Sequence, residues 1–504
     1  MKIIVQAGGL GTRMKSLTMS KPKALIPVFN KPILFHLFDL FKDAEFVIIG
    51  DYQYDVLDNY VSTFAKNTRY ILLKAQGKGN AAGIREALRF VPDDEPVMLI
   101  WSDLIPPENF KIDTSIEGCQ VGVVDFPCSW RVVNNKLVHE KGEKNGVAGL
   151  YVFDKKSRLD TLPTEGSFTT WLSTQDFPIT ALPIDGCKDV GTLQAYQLLD
   201  NTKFRCRPYN HIEVKEDKVI KTGLTDEAKT FIKREVDWYK YAQDLGFSAV
   251  PKLLAENPMT LSRIKGQNLF LSTLSVDGRR AALSKIVQAL SNLHNLARKE
   301  ANSWDLYTEY FTKTINRLRS IAPALPFSGQ KEIKINGKLC VNVLEQTEVF
   351  RKAVLDTLMD THFSLYHGDC QLTNTLLDDH GEIFFIDPRG YFGNTKNLGD
   401  VRYDWVKVYY AINGNFDQFN IKRFNFEMLN DGVQFSIASG GWEFLTQEFL
   451  DNIPEGEGSE QEIKLIHSIV WLSLASHAWE DFDSMCVAFY NGLLLFNEFL
   501  ESVK

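Results

Sequence analysis

Glycine, arginine and lysine residues are concentrated directly after a short apolar stretch at the start of the chain. The stretch MKIIVQA leads into AGGLGTRMKSLTMSKPKALIPV, which runs from Ala7 to Val28. Glycine has no Cβ, so neighbouring backbone N–H groups can close on a phosphate while cationic side chains neutralise its charge. The spacing differs from that of a Walker loop and from that of a dinucleotide-binding fingerprint. We therefore predict a site for the triphosphate of a nucleotide after the first strand.

The run G-G-x-G-T-R, followed by K-P-K and P-V, resembles the signature of the nucleotidyltransferases that join an NTP to a sugar 1-phosphate or a phosphorylated alcohol. The resemblance implies that Arg13 faces the β- and γ-phosphates, which leave as pyrophosphate. It also implies that Lys23 contacts the α-phosphate and the incoming phosphate. Because both reactants are anions, catalysis would depend on charge neutralisation and in-line positioning. The nucleotide would further contact four residues of the glycine turn: Gly8, Gly9, Gly11 and Thr12.

Two aspartates farther along the chain match the positions of this family's magnesium ligands. Asp103 ends the apolar run in VMLIWSDLI, and Asp189 precedes a predicted helix in KDVGTLQAY, which resembles the family's Asp-x-Gly-Thr element. Mg²⁺ accepts hard oxygen ligands from one or two carboxylates plus substrate phosphates. The resemblance therefore implies a magnesium site at Asp103 and Asp189.

Other segments of the same half carry weaker parts of the resemblance. In KAQGKGNAAGIREAL it implies that Gln76 and Gly79 help to hold the base of the nucleotide. In EKNGVAGLYVF it implies that Gly149 lies against the acceptor. Glu165, in TEGSF, would hydrogen-bond acceptor hydroxyl groups, and the alternative is an ordinary solvated loop carboxylate.

A second set of acidic and amide residues occurs later in the chain. Asp369 and Asn374 stand in YHGDCQLTNTLL at the spacing of the Asp and Asn of a kinase catalytic loop, and Asp387 follows in EIFFIDPRG. This form resembles the aminoglycoside phosphotransferase and choline kinase family over most of residues 205–504. The resemblance implies that Asp369 takes the proton of an acceptor hydroxyl, while Asn374 and Asp387 hold magnesium ions on ATP.

The residues around this motif suggest the rest of a kinase site. Lys221 closes the predicted strand DKVIK and Glu235 lies on the following helix, so they fit the ion pair that places the α- and β-phosphates; ordinary surface charges are the alternative. No glycine-rich lid precedes Lys221, which departs from the pattern of protein kinases. The resemblance further implies that the acceptor binds between the catalytic loop and the helices that follow it, so that Asp404, in GDVRYDWVKVYY, would reach an acceptor hydroxyl or cationic head. The aromatic residues at helical spacing nearby favour a core over a choline cage.

A new series of predicted strands and helices begins near residue 205. The length of 504 residues also indicates more than one domain. We predict a nucleotidyltransferase domain over residues 1–202, an α/β Rossmann-like fold with a mixed sheet and flanking helices. Over residues 203–504 we predict an α+β, two-lobed protein-kinase-like domain. Its small lobe would span about 203–268 and its large lobe about 269–504.

Composition limits the partners of the chain. A formal charge of −8 argues against a nucleic-acid partner, which needs a basic face, and favours small-molecule substrates held in local basic pockets. No apolar stretch is long enough to span a bilayer, and no signal peptide is evident, so we expect a cytoplasmic protein without membrane insertion. Seven cysteines without C-x-x-C indicate a reducing compartment, with neither a disulfide framework nor a zinc site. The sequence leaves the oligomeric state open, and a homo-oligomer is one alternative.

Together the motifs predict a bifunctional enzyme. The kinase half would phosphorylate a sugar with ATP, and the other half would join CTP, UTP, GTP or dTTP to the sugar 1-phosphate. The product would be an NDP-sugar for surface polysaccharide synthesis, with Mg²⁺ at both sites. Two alternatives stay open: a choline, amino-alcohol or polyol kinase with a cytidylyltransferase that makes a CDP-alcohol, and a kinase-like half that only binds, without turnover.

Overall fold

The structure is a computed structural model that describes residues 1–199 and 209–503. The predicted domain boundary between residues 202 and 203 lies outside these described residues. The chain divides into two compact units: Met1–Thr202 with Trp479–Asp483, and Lys203–Ala478 with Ser484–Lys504.

Short strands and helices make up the first unit. Its strands are β1 (Lys2–Gln6), β2 (Pro27–Val28), β3 (Lys31–Pro32), β4 (Glu45–Gly50), β5 (Arg69–Lys74), β6 (Val97–Trp101), β7 (Leu104–Ile105), β8 (Cys119–Val124), β9 (Arg131–Val133), β10 (Lys136–Val138), β11 (Gly146–Phe153), β12 (Ile179–Pro183) and β13 (Lys188–Asp189). Its α-helices are α1 (Ile33–Leu40), α2 (Tyr54–Phe64), α3 (Asn80–Ala87), α4 (Phe168–Leu172) and α5 (Leu193–Leu199).

A mixed sheet forms the centre of the first unit. Its strands lie in the order β10-β9-β11-β6-β1-β4-β5, and β8 pairs with both β11 and β12. Strands β6, β1, β4 and β5 are parallel, whereas β11 runs antiparallel to β6. The inner parallel strands β1, β4 and β6 are apolar runs, such as Ile3, Ile4 and Val5, that are buried on both faces, as a helix-covered sheet requires, whereas the edge strand β5 is partly exposed. The predicted α/β fold with a mixed sheet is confirmed.

The segment Trp479–Asp483 packs with α1 and α2 of the first unit. The Trp479 ring stacks on Phe64 with 5.2 Å between ring centroids, and it contacts Phe35 at 5.7 Å. The hydroxyl of Tyr60 donates to the Trp479 carbonyl. Because aromatic rings bury large apolar areas, this sequence-distant segment contributes to the core of the first unit.

The second unit contains the remaining elements, except that the first two residues of its last helix belong to the first unit. Its strands are β14 (Asn210–Val214), β15 (Lys218–Gly223), β16 (Leu253–Glu256), β17 (Met259–Ser262), β18 (Gly266–Asn268), β19 (Arg298–Glu300), β20 (Glu332–Ile335), β21 (Lys338–Val341), β22 (His362–Leu365), β23 (Thr375–Asp378), β24 (Ile383–Phe385), β25 (Tyr391–Phe392), β26 (Thr395–Lys396), β27 (Leu398–Asp400), β28 (Phe424–Leu429) and β29 (Gly432–Ile437). The remaining helices are α6 (Asp226–Asp244), α7 (Val276–His294), α8 (Ser303–Tyr307), α9 (Lys313–Ile321), α10 (Thr347–Leu358), α11 (Arg402–Ile412), α12 (Phe416–Asn420), α13 (Thr446–Asp451), α14 (Glu460–Ala475) and α15 (Phe482–Ser502).

A small sheet and a larger helical part form the second unit. The sheet has the order β14-β15-β17-β16, and α6 packs against β15 and β16. The helical part carries short strand pairs, among them β23-β24, which frames the loop with the predicted kinase residues. The predicted α+β, kinase-like fold is confirmed.

Aromatic rings at helical spacing pack inside the helical part. Trp471 of α14 contacts Tyr410 of α11 and Phe419 of α12, each with 5.0 Å between ring centroids. These rings form core, which is the interpretation that the sequence favours over a choline cage. Within residues 1–199 and 209–503, no helix is both long and apolar enough to cross a membrane.

Candidate active sites

The segments that follow β1 and β6 lie next to each other. The two strands are parallel neighbours, with Gln6 opposite Trp101, so the chain leaves both at the same edge of the sheet. A cavity of about 530 Å³ opens at this edge, and we call it the glycine-lined cavity. This volume is typical of a small-molecule site. The walls include these predicted site residues: Gly8, Gly9, Gly11, Thr12, Arg13, Lys23, Gly79 and Asp103.

Two glycines of these walls are required by the fold itself. Gly11 has a φ of 61°, and a Cβ there would lie 2.8 Å from Thr18 Cγ2. Gly79 has a φ of 84°, and a Cβ there would lie 2.3 Å from the Gly166 carbonyl oxygen. Gly9 differs, because a Cβ at this position would meet no atom of the described residues within 4 Å. The missing side chain of Gly9 therefore leaves room for a ligand rather than for another part of the chain.

Charged residues from four segments meet at the glycine-lined cavity. Lys23 Nζ lies 2.6 Å from Asp103 Oδ2. Asp189 is held nearby because β13 pairs with β7 and the Val190 N–H donates to the Asp103 carbonyl at 2.7 Å. Burial and then the charge of Asp103 raise the pKa of Asp189, while Lys23 and Arg13 act in the opposite direction. The structure thus brings together the cations and carboxylates that the sequence singled out.

The two aspartates fit a divalent cation. Burial and the charge of Asp103 both disfavour the ionised form of Asp189, and a divalent cation beside the two carboxylates would offset both effects. In the part of the chain that the structure describes, no group of three or more His, Cys, Asp or Glu side chains is arranged to hold a metal. A magnesium ion at this site would therefore take its other ligands from nucleotide phosphates and water.

The two lysines of K-P-K point to different surroundings. Lys23 lines the glycine-lined cavity, whereas Lys21 is buried and forms ion pairs with Asp481, at 3.5 Å, and with Asp483. Burial alone would lower the pKa of Lys21, but Asp483 and Asp481 outweigh it, so the pKa is raised. Lys21 therefore joins residues 8–23, which we call the phosphate loop, to the segment Trp479–Asp483 of the same unit.

The weaker predictions for the first unit have mixed outcomes. Gly149 lies against Trp101, since a Cβ there would be 3.2 Å from Trp101 Cγ, and Trp101 lines the glycine-lined cavity. Gln76 is exposed, although Ala75 and Gly77 on either side of it line the cavity. Glu165 is exposed, and its predicted contact with an acceptor stays a prediction.

The cavity walls also contain residues that sequence reasoning did not single out. Gln6 Nε2 donates to the Asn80 carbonyl at 2.9 Å, and Asn80 Oδ1 accepts from the Phe168 N–H at 2.8 Å. Gln6 ends β1 and Asn80 begins α3. A polar residue at the end of an apolar strand is the feature of the sequence that could have identified Gln6 as part of the cavity. Asp51 and Trp101 belong to the same walls.

In the second unit, the loop at residues 367–374, which we call the HGD loop, follows β22. Asn374 Nδ2 donates to Asp369 Oδ2 at 2.8 Å and to the Asp369 carbonyl at 2.9 Å. The Ile386 N–H donates to the Asn374 carbonyl at 2.9 Å, which brings the adjacent Asp387 to the same loop. The three predicted residues of the kinase motif therefore lie together.

Lys221 on β15 and Glu235 on α6 form the predicted ion pair. Lys221 Nζ lies 2.7 Å from a Glu235 oxygen and 3.0 Å from Asp387. Burial raises the pKa of Glu235 to about 7. Burial by itself would lower the pKa of Lys221. The negative charges of Asp387 and Glu235 outweigh burial, so the pKa of Lys221 is raised. Both side chains are buried, so they are not ordinary surface charges.

The prediction that Asp404 contacts an acceptor is wrong. Its carboxylate is fully buried and accepts from the His367 N–H at 2.7 Å and the Gly368 N–H at 2.6 Å. His294 Nε2 lies 3.2 Å from the same carboxylate. Asp404 therefore positions the HGD loop. The sequence places Asp404 in the first turn of a helix, but it does not show whether the carboxylate faces the interior or the solvent.

Lys407 on α11 is a cation that the motif comparison missed. Its Nζ lies 2.8 Å from Asp369 Oδ1, and its side chain is only 11% exposed. Burial lowers the pKa of Lys407, but the charge of Asp369 outweighs it, so the pKa is raised. Asp369 thus has Asn374 on one carboxylate oxygen and Lys407 on the other. Lys407 follows Asp404 by three residues on the same helix, so the two side chains lie on neighbouring positions of one face. This spacing is the feature of the sequence that could have identified Lys407.

Curated proteins similar to part of this chain transfer nucleotides to sugar phosphates, according to their names. A glucose-1-phosphate thymidylyltransferase of Streptomyces griseus is 30% identical over 130 residues, which is 25% of this chain and 32% of the relative. A D-glycero-alpha-D-manno-heptose 1-phosphate guanylyltransferase of Campylobacter jejuni is 31% identical over 103 residues, 19% of this chain and 46% of the relative. The chain thus spans about a third to just under half of the length of these relatives.

A solved structure is similar to a larger part of this chain than either of these relatives. HddC from Yersinia pseudotuberculosis, in complex with GMP-PN, is 20% identical, and the match covers 39% of this chain and 97% of that one at a TM-score of 0.34.

Family models match each unit separately. Residues 3–110 match the MobA-like NTP transferase domain, and this range contains the residues from Gly8 to Asp103 in the glycine-lined cavity. Residues 209–418 match the phosphotransferase enzyme family, and this range contains Lys221, Lys407 and the HGD loop. The chain therefore joins a MobA-like NTP transferase domain to a domain of the phosphotransferase enzyme family.

Proposed function

We propose that the chain is a bifunctional enzyme for two consecutive steps. A kinase domain at residues 203–504 phosphorylates a sugar with ATP, and a transferase domain at residues 1–202 joins CTP, UTP, GTP or dTTP to the sugar 1-phosphate. The product is an NDP-sugar for surface polysaccharide synthesis, made in the cytoplasm, where both nucleotides are available. The observation that carries the proposal is that one chain contains two separate charged constellations, at the glycine-lined cavity and at the HGD loop.

A sugar 1-phosphate is favoured as the transferase acceptor by the names of the relatives. One relative is named for thymidylyl transfer to glucose 1-phosphate and the other for guanylyl transfer to a heptose 1-phosphate. They share the class of acceptor and differ in the base of the nucleotide. Their names therefore support a sugar 1-phosphate and leave the base to experiment.

In the transferase step, an oxygen of the sugar 1-phosphate attacks the α-phosphorus of the nucleotide. The bond from the α-phosphorus to the bridging oxygen breaks, and pyrophosphate leaves. Backbone N–H groups of the glycine turn and the Arg13 side chain hold the departing phosphates. Lys23, already 2.6 Å from Asp103 at the cavity, neutralises charge where the two anions meet.

In the kinase step, the acceptor hydroxyl gives its proton to Asp369 while its oxygen attacks the γ-phosphorus of ATP. The bond between the γ-phosphorus and the bridging oxygen breaks, and ADP leaves. Lys221 contacts the α- and β-phosphates, and Glu235 holds Lys221 in place at 2.7 Å.

Magnesium would bind to residues of both units. Asp103 and Asp189 would hold it in the first unit, and Asn374 and Asp387 would hold it in the second. When bound, the ion offsets the negative charge of the phosphates.

The first experiment is a matrix of pyrophosphate release. CTP, UTP, GTP and dTTP are each combined with several sugar 1-phosphates, phosphocholine, phosphoethanolamine and glycerol phosphate in the presence of Mg²⁺. The proposal expects turnover with a sugar 1-phosphate. Turnover only with CTP and a phosphorylated alcohol would replace the NDP-sugar by a CDP-alcohol as the product. The kinase step is measured separately as ADP release with free sugars and amino alcohols, and its absence across the panel would leave a domain that only binds.

Substitutions of one proposed residue in each site test whether the sites are independent. Asp369→Ala removes the general base, so we expect kcat for ADP release to fall about 10²- to 10⁴-fold while pyrophosphate release persists. Lys23→Ala should have the converse effect. Loss of both activities in either folded variant would contradict two independent sites.

A further inference from the structure

A second, smaller cavity of about 40 Å³ lies in the second unit, between α11, α12 and the segment that follows β18. We call it the Asp417 cavity. It is separate from the glycine-lined cavity, and the residues of the kinase motif do not line it. Its walls are mainly polar and include Ser272, Ala411, Asn415, Asp417, Gln418 and Trp442.

Asp417 is a buried carboxylate in the wall of this cavity. It is 4% exposed, and within the described part of the chain neither of its carboxylate oxygens has a hydrogen-bond partner. Burial raises the pKa of Asp417 to about 8. A buried polar group without partners destabilises the folded state. A ligand that supplies hydrogen-bond donors would satisfy these oxygens, whereas the fold alone gains nothing from them.

Two elements that form walls of the Asp417 cavity also contact the HGD loop. Ala411 lies one turn after Lys407 on α11, about 6 Å along the helix axis, and Lys407 contacts Asp369 at 2.8 Å. The segment after β18 forms another wall, and Asn268 at its start donates to the carbonyl of Thr373 in the HGD loop. One wall residue of the Asp417 cavity is therefore a single helical turn from the lysine that contacts the proposed general base.

The cations near the cavity disfavour a cationic ligand. The guanidinium of Arg279, also in the wall, covers the ring of Trp442 at 5.4 Å from the ring centroid. Lys407 covers the ring of Tyr410 at 5.0 Å. A cationic head in the cavity would meet Arg279, and the rings of Trp442 and Tyr410 each already have a cation over one face. Hydroxyl groups can donate to a carboxylate without this repulsion.

We infer that the Asp417 cavity binds the hydroxyl-bearing end of a neutral, polyhydroxylated acceptor, with the Asp417 carboxylate accepting hydrogen bonds from its hydroxyl groups. The acceptor role depends on the proposed kinase function, whereas binding itself does not require turnover. A cavity of about 40 Å³ admits little more than one hydroxylated carbon, so the rest of the acceptor extends toward the HGD loop. A sugar or polyol is thereby favoured over choline or ethanolamine.

Direct binding to the full-length protein tests this inference. Glucose, mannose, galactose and glycerol serve as neutral probes, and choline and ethanolamine as cationic probes, in calorimetric titrations at pH 8. We expect at least one neutral probe to bind and Asp417→Asn to weaken its binding 10-fold or more. The control Asp379→Asn alters an exposed aspartate of the same unit and should leave binding unchanged.

The thermal stability of Asp417→Asn separates a ligand-binding role from a structural one. Because the substitution removes a buried carboxylate to which no described residue donates a hydrogen bond, the unfolding midpoint of the variant without ligand should equal or exceed that of the wild type. A lower midpoint would mean that Asp417 supports the fold, and it would overturn the inference. Ala411→Val fills part of the cavity without changing any charge, and it should also weaken binding of the neutral probe.

Binding and turnover fail independently. If no neutral probe binds, or if only the cationic probes bind, the inference is overturned. If a sugar binds through Asp417 but no ADP is released, the binding site stands and the kinase function fails. If a sugar drives ADP release in the wild type and Asp417→Asn leaves its KM unchanged, the kinase function stands and the inference fails.

Discussion

Lys407 stands where it changes the chemistry of a neighbouring carboxylate. Its Nζ is 2.8 Å from Asp369 Oδ1, while Asn374 donates to Oδ2. A cation so close weakens a carboxylate as a proton acceptor. Two effects would offset this cost: both oxygens of Asp369 are held in one orientation, and a positive charge stands near the phosphoryl group, which is anionic throughout its transfer.

Lys407→Met tests this arrangement through the proposed kinase reaction. We expect kcat to fall about 10- to 100-fold, with a smaller change in the KM for ATP, because orientation and charge stabilisation are lost in the transition state. The acidic limb of the pH–rate profile should move to higher pH, since Asp369 loses its cationic neighbour. Lys407→Arg keeps the charge and should keep the profile in place. An unshifted pH–rate profile for Lys407→Met would mean that Lys407 contributes only packing and does not act on Asp369 through its charge.

Asp417 gives the stability of the second unit a pH dependence of known sign. Burial raises its pKa from 3.8 to about 8. Between these values the folded state holds a proton that the unfolded state has released, so stability falls as pH rises from about 4 to about 8, by at most about 1.4 kcal/mol per pH unit. Asp417→Asn should flatten this slope, as measured by urea unfolding at pH 5 and pH 8. Equal slopes for the two proteins would show that Asp417 ionises as it does in water.

At the scale of an element, the phosphate loop contains glycines of two kinds. A Cβ at Gly8 would lie 2.9 Å from the Asp51 Cβ, whereas a Cβ at Gly9 would meet no atom within 4 Å in the described part of the chain. Gly8 is therefore needed for the loop to pack against the chain. Gly9 faces open space in the glycine-lined cavity, so any need for glycine there comes from what binds.

Gly9→Ala and Gly8→Ala should consequently separate binding from folding. We expect Gly9→Ala to unfold at nearly the wild-type temperature while raising the KM for the nucleotide about 10-fold or more, because its methyl group occupies space beside the phosphates. Gly8→Ala should lose about 1–3 kcal/mol of stability through overpacking. Thermal unfolding and pyrophosphate release measure the two effects. A normal KM for Gly9→Ala would place the phosphates elsewhere in the cavity.

At the scale of the whole molecule, the first unit includes residues that are far apart in the chain. Lys21 of the phosphate loop is buried with Asp481 and Asp483, and Trp479 packs on Phe64 at 5.2 Å. A buried cation is tolerated only with its counter-charges. The segment Trp479–Asp483 is therefore a structural part of the unit that contains the glycine-lined cavity.

The double variant Asp481→Asn/Asp483→Asn removes both counter-charges of Lys21. We expect the first unit to lose about 3–5 kcal/mol of stability, because Lys21 stays buried without a carboxylate. Adding Lys21→Met to this variant should recover part of the loss, since no buried charge then remains. Chemical unfolding followed by pyrophosphate release measures the change. As a control, Asp226→Asn breaks the exposed pair with Lys229 and should have little effect. An equally small effect for the double variant would mean that water solvates Lys21.

Much of the fold follows from local patterns. The apolar runs predict the central strands of the first unit, and the glycine turn marks the point where the chain leaves β1. Asp369 and Asn374 meet because only a short loop separates them. Lys221 and Glu235 meet because the strand that carries one leads directly into the helix that carries the other. Such contacts depend on spacing within one or two elements, and spacing is visible in the sequence.

The sequence by itself therefore determined the two fold classes and the positions of both motifs. Only the tertiary structure decided which way single side chains face. It turned Asp404 inward to the HGD loop, brought Lys407 to Asp369, and left Asp417 in a cavity wall without a hydrogen-bond partner among the described residues. The physical reason is that burial and ion pairing depend on elements that meet only when the chain packs, and no local pattern of residues encodes those meetings.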